Sequence, residues 1–406
     1  MTAAATIAAL PARDTGRLRR MSLALFLGGF STFSLLYCVQ PLLPTFARTF
    51  GLSPAQSAMA LSLSTATLAV AILMAGGAAQ RLNLKTLMFG SMVLAATCNL
   101  AAALAPSWPL LLLARAAEGL LLGGVPAVAM TYLAEETEAS DLAAAMGLYV
   151  AGTAFGGMAG RVGMGLLLAS FDWRMAMAAI GAIDLVAALA FFALLPRPRH
   201  VRATAPERLS DRLSTWREPW REPWRRPGLL ALFSLGFCLT GVFVALFNFV
   251  EFRLESAPYH LSQTQVGLIF LVYAFGVWSS STAGRLAERY GRRRLLLIGL
   301  AVILAGIVLT LPTSLVSIIA GIALVTTGFF IAHAVASGWV GRLAGPVKSQ
   351  SAALYLLFYY AGSSLAGAVG GWFWRHGAWP AVAGFTAALV LAGVALALRI
   401  PREDPS

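Results

Sequence analysis

Four ionisable residues lie inside long apolar runs: Arg115 and Glu118, Arg161, and Asp184. Arg115 and Glu118 are three residues apart, so on a helix they share one face, and Arg161 falls at a similar depth in the next run. Their formal charges sum to zero. Each costs about 2.5 to 3.5 kcal/mol near a bilayer centre, on the order of 10 kcal/mol for all four if they faced lipid unpaired. They are therefore expected to face one another or a wet cavity. A carboxyl between guanidinium groups suits reversible proton binding, because positive charge favours its ionised form and burial its neutral one. We expect Glu118, or else Asp184, to carry a proton, with Arg115 and Arg161 tuning it. A permanent ion pair between two helices accounts for the same residues, and so does anion binding by the arginines.

Tyr37, Gln40, Asn248, Trp278, His333, Tyr359 and Tyr360 form a second set, spread over the first, seventh, eighth, tenth and eleventh apolar runs. An aromatic in such a run is more often packing than ligand contact, and a lone His is as readily an interhelical hydrogen bond. Together they are candidates for the lining of a central cavity. There is no HExxH, GxSxG or Walker pattern and no paired metal-ligand spacing, so neither an enzyme nor a metal or other cofactor is expected. Cys38, Cys98 and Cys238 stand in separate runs without CxxC spacing, which argues against a disulfide framework or a zinc site.

The elements that must position these residues follow from composition. Of 406 residues, 59% are hydrophobic and 12% charged, with mean hydropathy +0.77, against roughly 45–50% and 25% in soluble domains. A hydrocarbon core about 30 Å thick needs about 20 apolar residues per helical crossing. Twelve runs of that kind are predicted at 21–46, 57–80, 85–104, 109–133, 142–169, 175–195, 229–250, 264–284, 294–311, 314–340, 350–374 and 378–398. The fold class is thus an all-α membrane protein of two six-helix bundles. The domains are a cytoplasmic tail (1–20), a first bundle (21–195), a linker (196–228), a second bundle (229–398) and a cytoplasmic tail (399–406). The first run has no small-residue cleavage site and is read as a retained helix.

The net charge of +13 has a topological cause. With the amino terminus in the cytoplasm, 24 of the 30 Lys and Arg fall on that side, and only Arg48, Arg174, Arg253 and Arg375 fall outside. The positive-inside rule then puts both termini in the cytoplasm and accounts for the basic pI with no nucleic-acid partner. One cytoplasmic loop dissents, made acidic by Glu135, Glu136, Glu138 and Asp141. The linker duplicates Trp216-Arg217-Glu218-Pro219 as Trp220-Arg221-Glu222-Pro223, a composition suited to lying on an anionic leaflet.

The halves repeat. A shift of 209 lays Leu52-Ser53-x-x-Gln56 on Leu261-Ser262-x-x-Gln265, and a shift of 210 lays Tyr149-x-Ala151-Gly152 on Tyr359-x-Ala361-Gly362. With six crossings per half, both copies enter from the same side, which is the parallel-repeat design of secondary transporters, with the path between the halves. Gly152, Gly156 and Gly160, mirrored by Gly362, Ala366 and Gly370, form a small-residue strip for close helix packing or for sliding. The repeat gives Val325, Gly328 and Gly371 opposite Arg115, Glu118 and Arg161, so the charge cluster belongs to the first half alone.

After the eighth run, Gly284-Arg285-Leu286-Ala287-Glu288-Arg289-Tyr290-Gly291-Arg292-Arg293-Arg294 is similar to the G-x-L-[AS]-[DE]-R-x-G-R-[RK] loop motif of the major facilitator superfamily. Gln40-Pro41-Leu42-Leu43-Pro44 and Arg115-x-x-Glu118-Gly119 resemble the P-x-x-P and R-x-x-Q-G of its drug:proton antiporter-like branches. With Phe330-Ile331-Ala332-His333 and Phe358-Tyr359-Tyr360, the pattern most resembles the acriflavine-sensitivity (YnfM-like) family. The proline expected after the central glycine of helix 5 is absent, and the first-half loop, Gly76 to Arg81, has alanine where Glu288 stands in the second. The resemblance implies a monomeric transporter of a bacterial inner membrane, working by alternating access. It would export a small hydrophobic or cationic compound in exchange for protons, with Gly284, Glu288, Arg289, Gly291, Arg292 and Arg293 as a cytoplasmic gate. The alternative is a proton-linked carrier of a small organic anion or sugar, for which Arg115 and Arg161 would be ligands.

Overall fold

Prolines set where the long apolar runs break. In the computed structural model, which describes residues 15–78, 83–197 and 221–400, α1 (Thr15–Tyr37) stops four residues before Pro41 and α5 (Trp108–Leu122) stops four before Pro126. A proline lacks the N–H for the carbonyl four residues back and its ring collides with that carbonyl. The chain resumes as a 3-10 turn (Gln40–Leu42) and α2 (Leu43–Phe50) in the first case, and as α6 (Pro126–Glu136) in the second. The longest helix, Lys348–Arg399, behaves likewise: its backbone is non-helical at Gly377 and Ala378, just before Pro380. It thus has two arms, matching the break predicted between 374 and 378.

The remaining elements of the first half are α3 (Pro54–Ala78), α4 (Leu84–Ala103), α7 (Ala139–Leu167) and α8 (Trp173–Leu194). The second half contains α9 (Pro227–Glu255), α10 (Gln263–Ile269), α11 (Tyr273–Tyr290), α12 (Arg292–Leu309), α13 (Leu315–Leu343) and α14 (Lys348–Arg399). No strand occurs among the described residues, and the described parts of the predicted runs are helical apart from the breaks near Pro41 and Pro126. Nine stretches among the described residues are long and apolar enough to cross a bilayer. Within the first half α1 packs on α7 and α8, and α3 and α4 on α5; within the second α9 packs on α14, and α12 and α11 on α13. The halves meet through α3 against α14 and α7 against α10.

The internal repeat has a local structural meaning. Ser262 and Gln265 form a capping box at the start of α10: the Gln265 amide donates to Ser262 Oγ and the Ser262 amide to Gln265 Oε1. Ser53 and Gln56 make the same reciprocal pair at the start of α3. Each satisfies two amides that a helix start leaves without partners. The small-residue strip on α7 lies against the backbone of α1 inside the first half. A Cβ on Gly156 would stand 2.1 Å from the Phe30 carbonyl oxygen, and one on Gly362, the mirror of Gly152, would stand as close to the Phe237 carbonyl in the second half. The strip therefore serves tight packing within each half. The surface between the halves uses other small residues, Gly165 against Gly267 and Ala55 against Gly371.

The helix expected from residue 229 begins at Pro227, preceded by a 3-10 turn at Glu222–Arg225. Arg226 holds this turn, donating to Glu222 Oε1 and to the Leu343 carbonyl. Residues 198–220 of the linker, with Trp216 to Trp220, residues 1–14 and 401–406 of the tails, and Gln80 and Arg81 of the first-half loop lie outside the described residues, whereas α1 already begins at Thr15 within the expected amino-terminal tail.

Candidate functional site

Arg115 is completely buried, and its guanidinium holds three helices together. Nη1 donates to Leu35 O at 3.2 Å and to Glu118 Oε2 at 2.5 Å, Nη2 to Leu36 O at 2.9 Å, and Nε to Ala60 O at 3.2 Å. The Leu35 and Leu36 carbonyls sit in the last turn of α1, where helix carbonyls lack intrahelical donors. Pro41 ends the helix there, and Arg115 supplies the missing donors. Four of its five N–H groups are thus engaged. Glu118 is equally buried, and its Oε1 has no partner among the described residues.

Asp184, on α8, lies in the same interior. Its Oδ2 accepts from Ser34 Oγ of α1 at 3.1 Å, while Oδ1 is unpartnered. Cys38 lies within electrostatic reach of Arg115, Glu118 and Asp184, and its thiol faces Asn99 Oδ1 at 3.8 Å. Asn99 in turn donates to the Met177 carbonyl at 2.8 Å. The first half therefore contains one polar interior in which Arg115 and Glu118 pair and Asp184 has no cationic partner.

Arg161 belongs to a different cluster, which corrects the expectation of one carboxyl between two arginines. Its Nε donates to Gln40 Oε1 at 2.5 Å and its Nη1 to the Gly157 carbonyl at 2.7 Å. The guanidinium lies 4.0 Å from the centre of the Tyr37 ring, with Tyr273 and Phe270 at 4.9 and 5.2 Å. Gln40 Nε2 then reaches across the halves to Asn248 Oδ1 at 2.6 Å. Tyr37, Gln40 and Asn248 are thus brought together at the seam between the halves. Two members escaped the sequence reading. Tyr273 had no distinguishing signal. Glu251 lies one residue past the span expected to end at 250, although α9 continues to Glu255.

Further contacts join the halves on the side away from Thr15 and Ile400, here termed the distal end. Arg48 pairs with Glu255 at 2.8 Å, Thr264 Oγ1 donates to Gly165 O at 2.8 Å, Ser364 Oγ to Ser62 O at 2.7 Å, and Gln263 Nε2 donates to Thr45 Oγ1. These contacts close the distal end. Toward the opposite, terminal end α11 presents Phe275 and Trp278, which are 57% and 69% exposed. Trp278 makes no ring contact with the other cavity candidates among the described residues.

His333, Tyr359 and Tyr360 form an aromatic lobe in the second half. His333 Nδ1 lies 2.9 Å from the Tyr355 hydroxyl, its ring is parallel to Phe329 and 4.8 Å from Tyr359, and Tyr359 meets Tyr360 edge-on. Tyr355 is the residue missed here. Its signal was the four-residue spacing to Tyr359, which puts both on one face of α14. In the loop motif, Gly291 has φ +88, the conformation that ends α11, and Arg293 donates to the Leu398 carbonyl at 2.7 Å. Arg289 lies over the Tyr290 ring. Glu288 and Gly284 are exposed, and Glu288 makes no ion pair among the described residues. Among the described residues no group of three or more acids, histidines and cysteines could hold a metal ion.

Comparison with known proteins bears on the whole architecture. The profile of the Major Facilitator Superfamily matches residues 25–257 and 254–406. The chain is 45% identical to the inner membrane transport protein YnfM of Escherichia coli (strain K12), over 96% of this chain and 93% of that protein. It is 41% identical to the uncharacterized MFS-type transporter YybF of Bacillus subtilis (strain 168), over 96% of each. Among solved structures, a bacterial homolog of the human lysosomal transporter Spinster, inward-facing and unoccupied, aligns with TM-score 0.71 at 17% identity, covering 96% of this chain and 95% of that one. The nucleoside transporter NupG (D323A mutant) also aligns with TM-score 0.71, at 15% identity, covering 92% and 99%. The chain has their fold, that of a secondary transporter working by alternating access, and it belongs to the Major Facilitator Superfamily as a YnfM-like transport protein.

Proposed function

We propose that the protein exports a small hydrophobic or cationic compound from the bacterial cytoplasm in exchange for protons, with Asp184 or Glu118 carrying the proton. The observation that carries this reading is the buried Asp184 carboxyl, met by serine hydroxyls of α1 and by no cation among the described residues, next to an Arg115–Glu118 pair that is already neutral overall. An isolated buried carboxylate is strongly disfavoured, so such a group holds a proton until water reaches it. That is the behaviour alternating access requires of a coupling site. Export is taken from the resemblance to drug:proton antiporters.

The arginines favour a cation over an anion as cargo. Arg115 is occupied by three carbonyls and Glu118, and Arg161 by Gln40, a carbonyl and three rings, which leaves little guanidinium for a substrate carboxylate. The lobe of Phe329, His333, Tyr355 and Tyr359 offers ring faces, which suit lipophilic and cationic ligands. With the basic loops cytoplasmic, the distal end would face outward, and the contacts that close it fit an inward-facing state. Glu288, exposed at the terminal end, fits a cytoplasmic latch that is undone in this state. The protein would act as a monomer.

The test is purified protein in liposomes with a pH-sensitive dye inside, an imposed proton gradient, and a panel of lipophilic cations and small organic acids. A cation that dissipates the gradient in the wild type, but not in Asp184→Asn or Glu118→Gln, supports exchange. A response to organic acids alone would assign the arginines to substrate and remove the efflux reading.

A further inference from the structure

Glu251 is completely buried on α9, yet neither of its carboxylate oxygens has a hydrogen-bond partner among the described residues. Around the same seam, Asn248 Nδ2 and Ser62 Oγ are also buried and without partners among the described residues, and a Cβ on Gly367 would touch both. The charged and titratable groups that reach Glu251 are Arg161 from α7, Tyr273 from α11, and Glu255 from its own helix. None neutralises it directly. Arg161 is turned to Gln40, Gly157 and the aromatic rings, and Glu255 is itself paired with Arg48 of α2.

Asn248, Glu251 and Glu255 are spaced i, i+3 and i+7, so they form one stripe along α9. At its outer end, Arg48 and Glu255 border a cleft of about 310 Å³ at the distal surface, with Pro44, Leu52 and Phe252. Glu251 is one turn further in, and Asn248 then holds Gln40 across the halves. A charge without hydrogen bonds is resisted at such a place far more than a neutral carboxyl. Opening the distal end would admit water from the cleft to the first buried acid on the stripe.

We propose that Glu251 is a further proton-binding site, separate from Asp184 and Glu118, and that the halves close at the distal end only when it is neutral. Protonation from the distal side closes the seam; ionisation favours its opening. This deepens the alternating-access reading but does not depend on which substrate is carried or on Asp184.

The experiment measures conformation without substrate or gradient, so its failure is distinct from failure of the transport assay. Spin labels are placed through Leu104→Cys and Val316→Cys, distal positions 80% and 78% exposed, in nanodiscs, with Cys38, Cys98 and Cys238 replaced by alanine. In the otherwise unaltered protein, raising the pH should lengthen the inter-label distance, the closed-to-open ratio falling by up to about tenfold per pH unit, the limit for one linked proton. Glu251→Gln should remain closed at high pH and lose the response, whereas Asp184→Asn should retain it. An unchanged pH response in Glu251→Gln, or its loss in Asp184→Asn alone, overturns the proposal. Should Glu251→Gln not purify as a monodisperse species, Glu251→Asp, which moves the carboxyl by one methylene, must shift the midpoint of the response; an unmoved midpoint overturns it equally.

Discussion

Replacing Arg115 with methionine removes one charge and four donated hydrogen bonds while keeping most of the side-chain volume. Glu118 would be left as a buried carboxylate without its cation, a loss of about 3 to 5 kcal/mol for a broken buried pair. The carbonyls of Leu35, Leu36 and Ala60 would lose their donors at about 0.6 kcal/mol each, the average for side-chain hydrogen bonds within a membrane protein. The variant should therefore be destabilised by about 5 kcal/mol. Glu118→Gln alone should cost about 2 to 3 kcal/mol, since the amide still accepts from Arg115 but leaves its charge uncompensated. In the double variant only the carbonyl bonds are missing, at about 2 kcal/mol. The expected coupling between the two sites is thus of the order of 5 kcal/mol. Reversible unfolding in mixed detergent micelles, applied to the four proteins, measures it. A coupling below about 0.5 kcal/mol would refute the reasoning, because it would make the 2.5 Å contact energetically idle.

Three other outcomes follow from the packing. Gly156→Val should prevent folding or lower the melting temperature sharply, because its first carbon already overlaps the Phe30 carbonyl; Gly147→Ala, in open space on the same helix, should leave melting unchanged. Gln40→Leu should free Arg161 and Asn248 together, weakening distal closure, and is read as faster thiol labelling of a cysteine introduced at Thr45. Exchanging the charges of the pair formed by exposed Arg48 and the largely buried Glu255, as Arg48→Glu with Glu255→Arg, should restore part of the distal closure that Arg48→Glu alone loses, on the order of 1 kcal/mol, and the same labelling rate reports it.

The fold was legible because a bilayer imposes a length and a composition on every crossing, and the repeat of Ser53 and Gln56 by Ser262 and Gln265 marked the same helix start in both halves. The helix breaks at Pro41 and Pro126 were legible in kind, yet both runs were read as single helices, since a proline within an apolar run can also kink without ending it. Arg115 and Glu118 were found as a pair because charge inside an apolar run is conspicuous and their spacing is local. Arg161 was not placed with Gln40, because that contact spans 121 residues and depends on how α1 turns at Pro41. Glu251 was missed for a related reason. An acid at the edge of an apolar run reads as the start of a loop, and only the extension of α9 to Glu255 makes it interior. Trp278 is a related case, since an aromatic in a span does not reveal which face of its helix it occupies.

Alternating access requires the halves to part at the distal end once in every cycle. The direct test is a Thr45→Cys, Gln263→Cys pair, whose native side chains touch across the seam, bridged by a short reversible thiol reagent in liposomes loaded for proton-driven transport. Transport should stop in proportion to the fraction bridged and return on reduction. Undiminished transport by fully bridged protein would contradict alternating access through this seam.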